Sequence, residues 1–194
     1  MRTLLPVILS IAAASSAALA QNSDIGVLFG VSAPVTTVGA GHVSASVGGS
    51  FELNYAAQVH ESKAGQIYVE LPFFVNVLTD EHVGPGSVVS GVRDSIFFTP
   101  GVKYRFTPAS RVSFYAVAGG GLASFGRLVE VVGPGVTNIN SRSTTAAVAF
   151  GGGLDFRLTR LLSLRFEGRD AVTSSKYDGA SHHTFFVFGV GFHF

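Results

Sequence analysis

Phe186-Val187-Phe188-Gly189-Val190-Gly191-Phe192-His193-Phe194 puts a Phe or Val at every second position to the end of the chain. A period of two belongs to a β-strand with one apolar face. The same period runs back through the sequence. It picks out Ile25, Val27, Phe29, Val31; Val47, Phe51, Leu53, Tyr55; and Ile67, Val69, Leu71, Phe73, Val75, Val77. Further on it picks out Phe98, Val102, Tyr104, Phe106; Val112, Phe114, Ala116, Ala118, Leu122; Ala146, Val148, Phe150, Leu154, Phe156, Leu158; and Leu162, Leu164, Phe166. With the last run these make eight strands. Short connections are expected around residues 58–65, 107–110 and 159–161, and longer loops at 80–95, 126–143 and 173–182. The first connection, 35–43, is intermediate. Short turns at one end and long loops at the other describe an up-and-down barrel.

Ahead of the first strand, Met1, Arg2 and Thr3 give a short positive start, Leu4 to Ala14 is apolar, and Ala18-Leu19-Ala20 is a small-x-small cleavage site. Residues 1–20 therefore read as a secretory signal peptide and 21–194 as one barrel domain. A transmembrane helix would need about 20 apolar residues, and Ser10, Ser15 and Ser16 interrupt this run. The chain has no Cys, which excludes disulfides, thiolate metal sites and a lipid-anchored N-terminus. Its 13 Lys and Arg face 12 Asp and Glu, and loss of Arg2 with the leader balances them. Nucleic-acid binding is not expected of a chain without a basic patch. Charged residues are 13% of the total, against about 25% in soluble domains.

Alternation alone leaves two barrels open: a soluble, lipocalin-like carrier with the apolar face inward, and a membrane barrel with it outward. The apolar parity of these strands carries no charge, and the other parity is rich in small residues: Gly48, Ser50, Gly101, Ser113, Gly119, Gly121, Ala147, Ala149, Gly151, Gly153, Gly189 and Gly191. A water-facing surface needs more charge, whereas an eight-stranded lumen has room only for side chains. The fold class expected is thus all-β: a closed antiparallel up-and-down eight-stranded transmembrane barrel. Tyr55, Tyr104, Phe106, Phe114, Phe156 and Phe194 fall where a periplasmic aromatic girdle would lie.

The terminal alternation of Phe186, Phe188, Val190, Phe192 and Phe194, and the segment Ser163-Leu164-Arg165-Phe166-Glu167-Gly168-Arg169-Asp170, resemble the last two strands of the eight-stranded outer-membrane barrel group, similar in plan to the OmpA transmembrane domain and OmpX. The resemblance spans residues 24–194. It implies an outer-membrane location, lipid neighbours, and recognition of the terminal strand by the barrel assembly machinery. No periplasmic domain is expected after the barrel. It implies no activity, because the group includes structural proteins, adhesins and lipid-modifying enzymes.

Inward charges are Glu52, Glu70, Asp155 and Glu167 against Lys103, Arg105, Arg157, Arg165 and Arg169. They are expected to pair across the lumen, since buried charges are normally paired: Glu52 and Glu70 with Lys103 and Arg105, Asp155 and Glu167 with Arg157 and Arg165. Such a network leaves little bore for diffusion. A lipid-acting hydrolase would have to draw on Ser174, Ser175, Asp178, Ser181, His182 and His183, but in the deacylase pattern a His and Ser are followed directly by Asn, and His183 is followed by Thr184 and Phe185. Adjacent His residues on a strand point to opposite faces, so a metal site is not expected either. The runs Gly119–Gly121 and Gly151–Gly153 lack the strand-to-helix context of a phosphate loop and are expected to let neighbouring strands bend and pack closely. No catalytic residue and no cofactor are expected. The reading is of a structural or surface-interaction barrel whose loops 80–95 and 126–143 meet an extracellular ligand or host surface.

Overall fold

The computed structural model describes residues 22–38, 42–45, 47–84, 87–106, 110–132, 137–175 and 179–194. The proposed signal peptide, 1–20, lies outside them. Ten strand segments follow in order: β1 (Ser23–Val38), β2 (His42–Ala45), β3 (Gly48–Ser62), β4 (Gly65–Gly84), β5 (Ser87–Phe98), β6 (Gly101–Phe106), β7 (Val112–Val132), β8 (Thr137–Arg157), β9 (Leu162–Ser175) and β10 (Gly179–His193). They build eight staves. β6 carries on the stave of β5, pairing with the same neighbours β4 and β7, and β2 hairpins onto the far end of β1. The break between β5 and β6 falls at Thr99-Pro100, where proline has no N–H to give the ladder.

All pairings are antiparallel between chain neighbours, and β10 closes the sheet on β1 from Asp24↔His193 to Thr36↔Ser181. Two further bonds lock the seam, Ser23 N–H to Phe194 O at 2.8 Å and Phe194 N–H to Ser23 O at 3.0 Å. Closure removes the sheet edges that lipid could not satisfy. Both ends of the described chain lie with the turns at 63–64 and 158–161; His193 N–H, for instance, donates to Leu161 O at 2.9 Å. By the plan of such barrels this is the periplasmic end.

The opposite end departs from the expectation of long loops. β4 and β5 stay paired to Gly84↔Ser87, β7 and β8 to Val131↔Thr137, and β9 and β10 to Ser175↔Gly179. Most of 80–95 and 126–143 is therefore strand. Register positions such as Val83↔Val88, Val89↔Val131 and Val129↔Ile139 carry the ladder through these segments.

The outer wall is apolar. Phe29, Phe114, Phe186 and Phe188 are each 57–60% exposed, and Leu53, Val69, Phe98, Val102, Leu122, Val148, Phe150 and Phe166 continue the belt around the staves. A continuous apolar wall of this kind exceeds anything a water-facing monomer carries. It needs lipid around it, and the carrier arrangement with the apolar face inward is excluded.

The lumen is fuller than small residues and charges alone would make it. Leu28, Tyr68, Phe74, Phe97, Tyr115, Val117, Phe185 and Val187 are all buried inside. Glycines opposite them create the room. A Cβ on Gly153 would run into both the Tyr115 hydroxyl and the Phe166 carbonyl oxygen, and one on Gly26 would stand 2.9 Å from an Arg165 Nη. The glycine runs thus serve the lumen as well as strand approach. Gly153→Val is expected to abolish the compact, fast-migrating form in unboiled gel electrophoresis, because one of its clashes is with backbone. Gly49→Val, where a Cβ meets nothing within 4 Å, is expected to keep that form; equal loss in both would refute the packing argument.

Candidate functional site

Inside the barrel the inward side chains stack in tiers from the turn end upward. The lowest tier holds two carboxylates among three cations. Arg165 grips Asp155 bidentately, Nε to Oδ1 at 2.7 Å and Nη2 to Oδ2 at 3.0 Å, and reaches Asp24 Oδ1 through Nη1 at 3.1 Å. Arg105 Nη2 donates to Asp24 Oδ2 and Asp155 Oδ2, both at 2.9 Å, while its Nη1 donates to the Tyr68 hydroxyl at 2.9 Å. Lys103 Nζ completes the set at 3.2 Å from Asp24 Oδ2, with its ammonium 4.8 Å from the Tyr115 ring centroid. Bidentate, charge-assisted bonds of this kind are the strong ones.

The second tier reverses the balance, with three carboxylates around one guanidinium. Arg169 Nε donates to Glu167 Oε1 at 2.7 Å, Nη1 lies 3.1 Å from Glu70 Oε1, and Nη2 is 4.0 Å from Glu52 Oε1. Tyr115 donates to Glu167 Oε2 at 2.8 Å, and Asn54 Nδ2 to Glu70 Oε2 at 3.3 Å. Glu52 is fully buried, and neither of its oxygens accepts a hydrogen bond among the described residues.

Above the charges sits an aromatic plug. Phe74 stacks on Phe185 at 4.9 Å, Phe97 meets Phe185 edge-on at 5.3 Å, and His183 lies 5.2 Å from Phe97 and 5.1 Å from Phe125. Ala123, Ala147, Ala149 and Ala171 pack around them. Arg169 lies 5.1 Å from the Phe74 ring and joins plug to charge.

Asp155 pairs with Arg165 as expected, and the other pairings differ. Lys103 and Arg105 pair with Asp24 and Asp155, and Glu52, Glu70 and Glu167 gather on Arg169. Register decides this: tiers form among residues at one height, and strand stagger puts Glu52 and Glu70 above Lys103 and Arg105. Arg157 is not in the network; it stands exposed at the turn-end mouth. Asp24, the hub of the lower tier, was missed because it precedes the first clear alternation at Ile25, although it shares the inward parity of Gly26 and Leu28.

The Ser and His cluster does not converge. Ser181 and His183 face inward, His183 bonding Thr173 Oγ1 at 3.2 Å, whereas Ser174 and His182 lie on the outer wall. Asp178 lies outside the described residues, and Ser175 is described only as the end of β9. On the outer wall His182 Nδ1 is 2.7 Å from Asp170 Oδ2, and Thr184 Oγ1 donates to Asp170 Oδ1 at 3.4 Å. Among the described residues no group of three His or acidic side chains is placed to hold a metal.

No family model matches the chain, and no curated protein matches it in sequence. Solved structures do match in fold. Ail, the attachment invasion locus protein of Yersinia pestis, in complex with the heparin analogue sucrose octasulfate, superposes with a TM-score of 0.55 at 17% identity, over 90% of this chain and 99% of that one. Neisserial surface protein A gives a TM-score of 0.51 at 14% identity, over 89% and 97%. The outer-membrane protease OmpT of Escherichia coli gives 0.53 at 8%, over 89% and 95%. The shared property is the outer-membrane barrel fold.

Removing one member of the lower tier strands a buried charge, which costs about 3–5 kcal/mol. Asp24→Leu is therefore expected to lower the temperature at which the folded gel band is lost by roughly ten degrees, at about 2–4 degrees per kcal/mol for a domain of this size. Arg157→Gln, at the exposed mouth, is expected to leave it unchanged. An Asp24→Leu barrel as heat-resistant as the original would show that Asp24 is not the hub.

Proposed function

We infer that this chain, an eight-stranded barrel of the outer-membrane type, works through its outer end as a surface-interaction protein, its membrane-spanning part being a sealed anchor. The observation that supports this most is a sheet rising above the closed part of the barrel. The pairing of β3 with β4 stops at Gly49↔Val77, and that of β8 with β9 at Ala147↔Thr173. Beyond those levels β4, β5, β7 and β8 continue as a four-stranded sheet. Its outer strands, 78–84 of β4 and 137–146 of β8, have no strand partner on their far sides among the described residues. At about 3.4 Å per residue these edges are roughly 20 and 30 Å long. Unpaired edges bind extended segments by strand addition, and natural proteins otherwise blunt them.

The lumen argues in the same direction. Paired charges and an aromatic plug fill it, so the barrel is not built for diffusion. Ail is solved with a sulfated sugar analogue, and this chain's outer end brings Arg93 opposite Arg127 in register, with Arg142 bound to Asp94 at 2.8 Å one level away. A protein or polyanion of a host surface is the class of partner proposed. The alternation Phe186, Phe188, Val190, Phe192 and Phe194 is proposed as the signal read by the assembly machinery, because it occupies the strand that closes the barrel.

A second reading, hydrolysis of a membrane lipid, rests on the His182 and Asp170 pair at the outer end of the wall, where the carboxylate would orient a general base. Among the described residues no hydroxyl bonds the other ring nitrogen of His182. Fatty-acid release from lipid A by the native barrel and not by His182→Asn would establish this reading.

For the first reading, bacteria displaying the full barrel should adhere to host cells or to immobilised sulfated polysaccharide, and bacteria displaying a version with 80–91 and 129–139 replaced by tight turns should not. The shortened barrel should still migrate as a folded species. Equal adhesion by the two would sink the proposal, as would stepwise single-channel currents from the native protein in a planar bilayer.

A further inference from the structure

At the turn end the lumen opens into a cavity of about 270 Å3, whose wall includes Arg105, Arg157, Arg160, Gln66, Tyr68 and His193. Its charge is one-sided. Arg157 and Arg160, both exposed, form no ion pair among the described residues. Directly behind them the lower tier carries Lys103, Arg105 and Arg165 against only Asp24 and Asp155. The carboxylates that would balance this excess, Glu52, Glu70 and Glu167, are held one tier higher by Arg169.

One of the lining cations also carries a buried donor. Arg105 is 3% exposed and uses both terminal nitrogens on Asp24, Asp155 and Tyr68, yet its Nε–H has no partner among the described residues. A buried guanidinium N–H is costly to leave unmade, and this side chain lines the cavity. Phe194, on the same rim, accepts the Ser23 N–H at its carbonyl oxygen at 2.8 Å. Glu61 is engaged with Gln58 at 3.1 Å.

We propose that this periplasmic mouth is an oxyanion site that takes a phosphate group between Arg105, Arg157 and Arg160. Guanidinium forks match phosphate oxygens, and at about 30 Å3 per water the cavity holds a tetrahedral anion with part of its hydration shell. The lip supplies a second element of fit. Leu161, 65% exposed, and Phe194, 50% exposed, stand beside the cations and continue into the apolar outer wall through Leu158 and Phe156. A phosphate delivered as a phospholipid headgroup would have its acyl chains on that wall; a free phosphate would use the arginines alone.

The test uses the full mature barrel in a phosphate-free maltoside detergent, with the arginine Nε–H resonances followed by NMR. Two probes are titrated: inorganic phosphate, and a short-chain phosphatidylglycerol below its micelle concentration. Saturable shifts at Arg105, Arg157 and Arg160 with inorganic phosphate identify a site for the free anion; shifts with the lipid alone identify a headgroup site. In either case R157Q/R160Q should weaken binding at least tenfold while keeping the folded gel mobility. R111Q, which removes an exposed arginine at the same end but outside the cavity, should bind as the native chain does. No shift with either probe overturns the proposal, and so does equal weakening in R111Q, because rim charge and not the cavity would then be the binder.

Discussion

Asp24 accepts from Lys103, Arg105 and Arg165, residues 79, 81 and 141 positions further along the chain. A wall that faces lipid leaves no other solution. Around a soluble protein a stray buried carboxylate can draw on water from either side, whereas here the outside is hydrocarbon, the plug closes the path from above, and among the described residues only the turn-end cavity opens toward water. Charges in the lumen therefore depend on opposite charges at their own height. The tiers follow from that. Once β10 has closed on β1, Asp24 is fixed at the seam, and the staves carrying Arg105, Asp155 and Arg165 must stand at matching stagger for its charge to be balanced. Hydrogen-bond register and charge pairing therefore specify one another, which gives a small barrel one register where slippage would otherwise be cheap.

Volume imposes a second condition. An eight-stranded lumen admits side chains and little else, and large residues enter only where the facing stave has given up its Cβ. Tyr115 lies against Gly153, and Arg165 between Gly26 and Gly191. These glycines forgo side-chain packing and cost backbone entropy, and the aromatic and guanidinium groups they admit provide the dispersion and cation–π contacts that fill the space. Position along the axis matters as well. Polar tiers occupy the half nearer the turns, and the plug of Phe74, Phe97, Phe125, Phe185 and His183 occupies the half nearer the outer end. The outer sheet thus rises from a collar of packed aromatic rings.

Much of this was legible in the sequence because a strand's two faces are written at alternate positions. The parity argument placed Glu52, Glu70, Lys103, Arg105, Asp155, Arg165, Glu167 and Arg169 inside, and the structure has them there. Apart from Asp155 with Arg165, which acid meets which base was not legible, since that depends on stagger between staves, a quantity no single strand contains. The plug escaped for a different reason. Its core comes from the doublets Phe73-Phe74, Phe97-Phe98 and Phe185-Phe186, in which one ring faces lipid and its neighbour faces the lumen. Counted at period two, each doublet donates one member to the outer belt and the other looks like an irregularity. Three such irregularities at one height are a pattern in space and scatter in sequence.

The same logic bears on the two ends of the molecule. Where the wall is closed, alternation is strict and the sequence reads plainly; above it, both faces of the β4–β5 and β7–β8 ribbons leave the membrane and the binary code loses its meaning. Those segments read as loops because Gly, Ser and Val mix without regular parity, yet the backbone ladder runs on through them. At the other end, Arg157 keeps the inward parity of Asp155 but lies past the level at which lumen partners exist. Parity says which way a side chain points; depth says whether anything is there to meet it. For Arg157 and Arg160 nothing among the described residues is, and charge left without a partner beside a cavity is where the fold's own requirements end and a ligand's can begin.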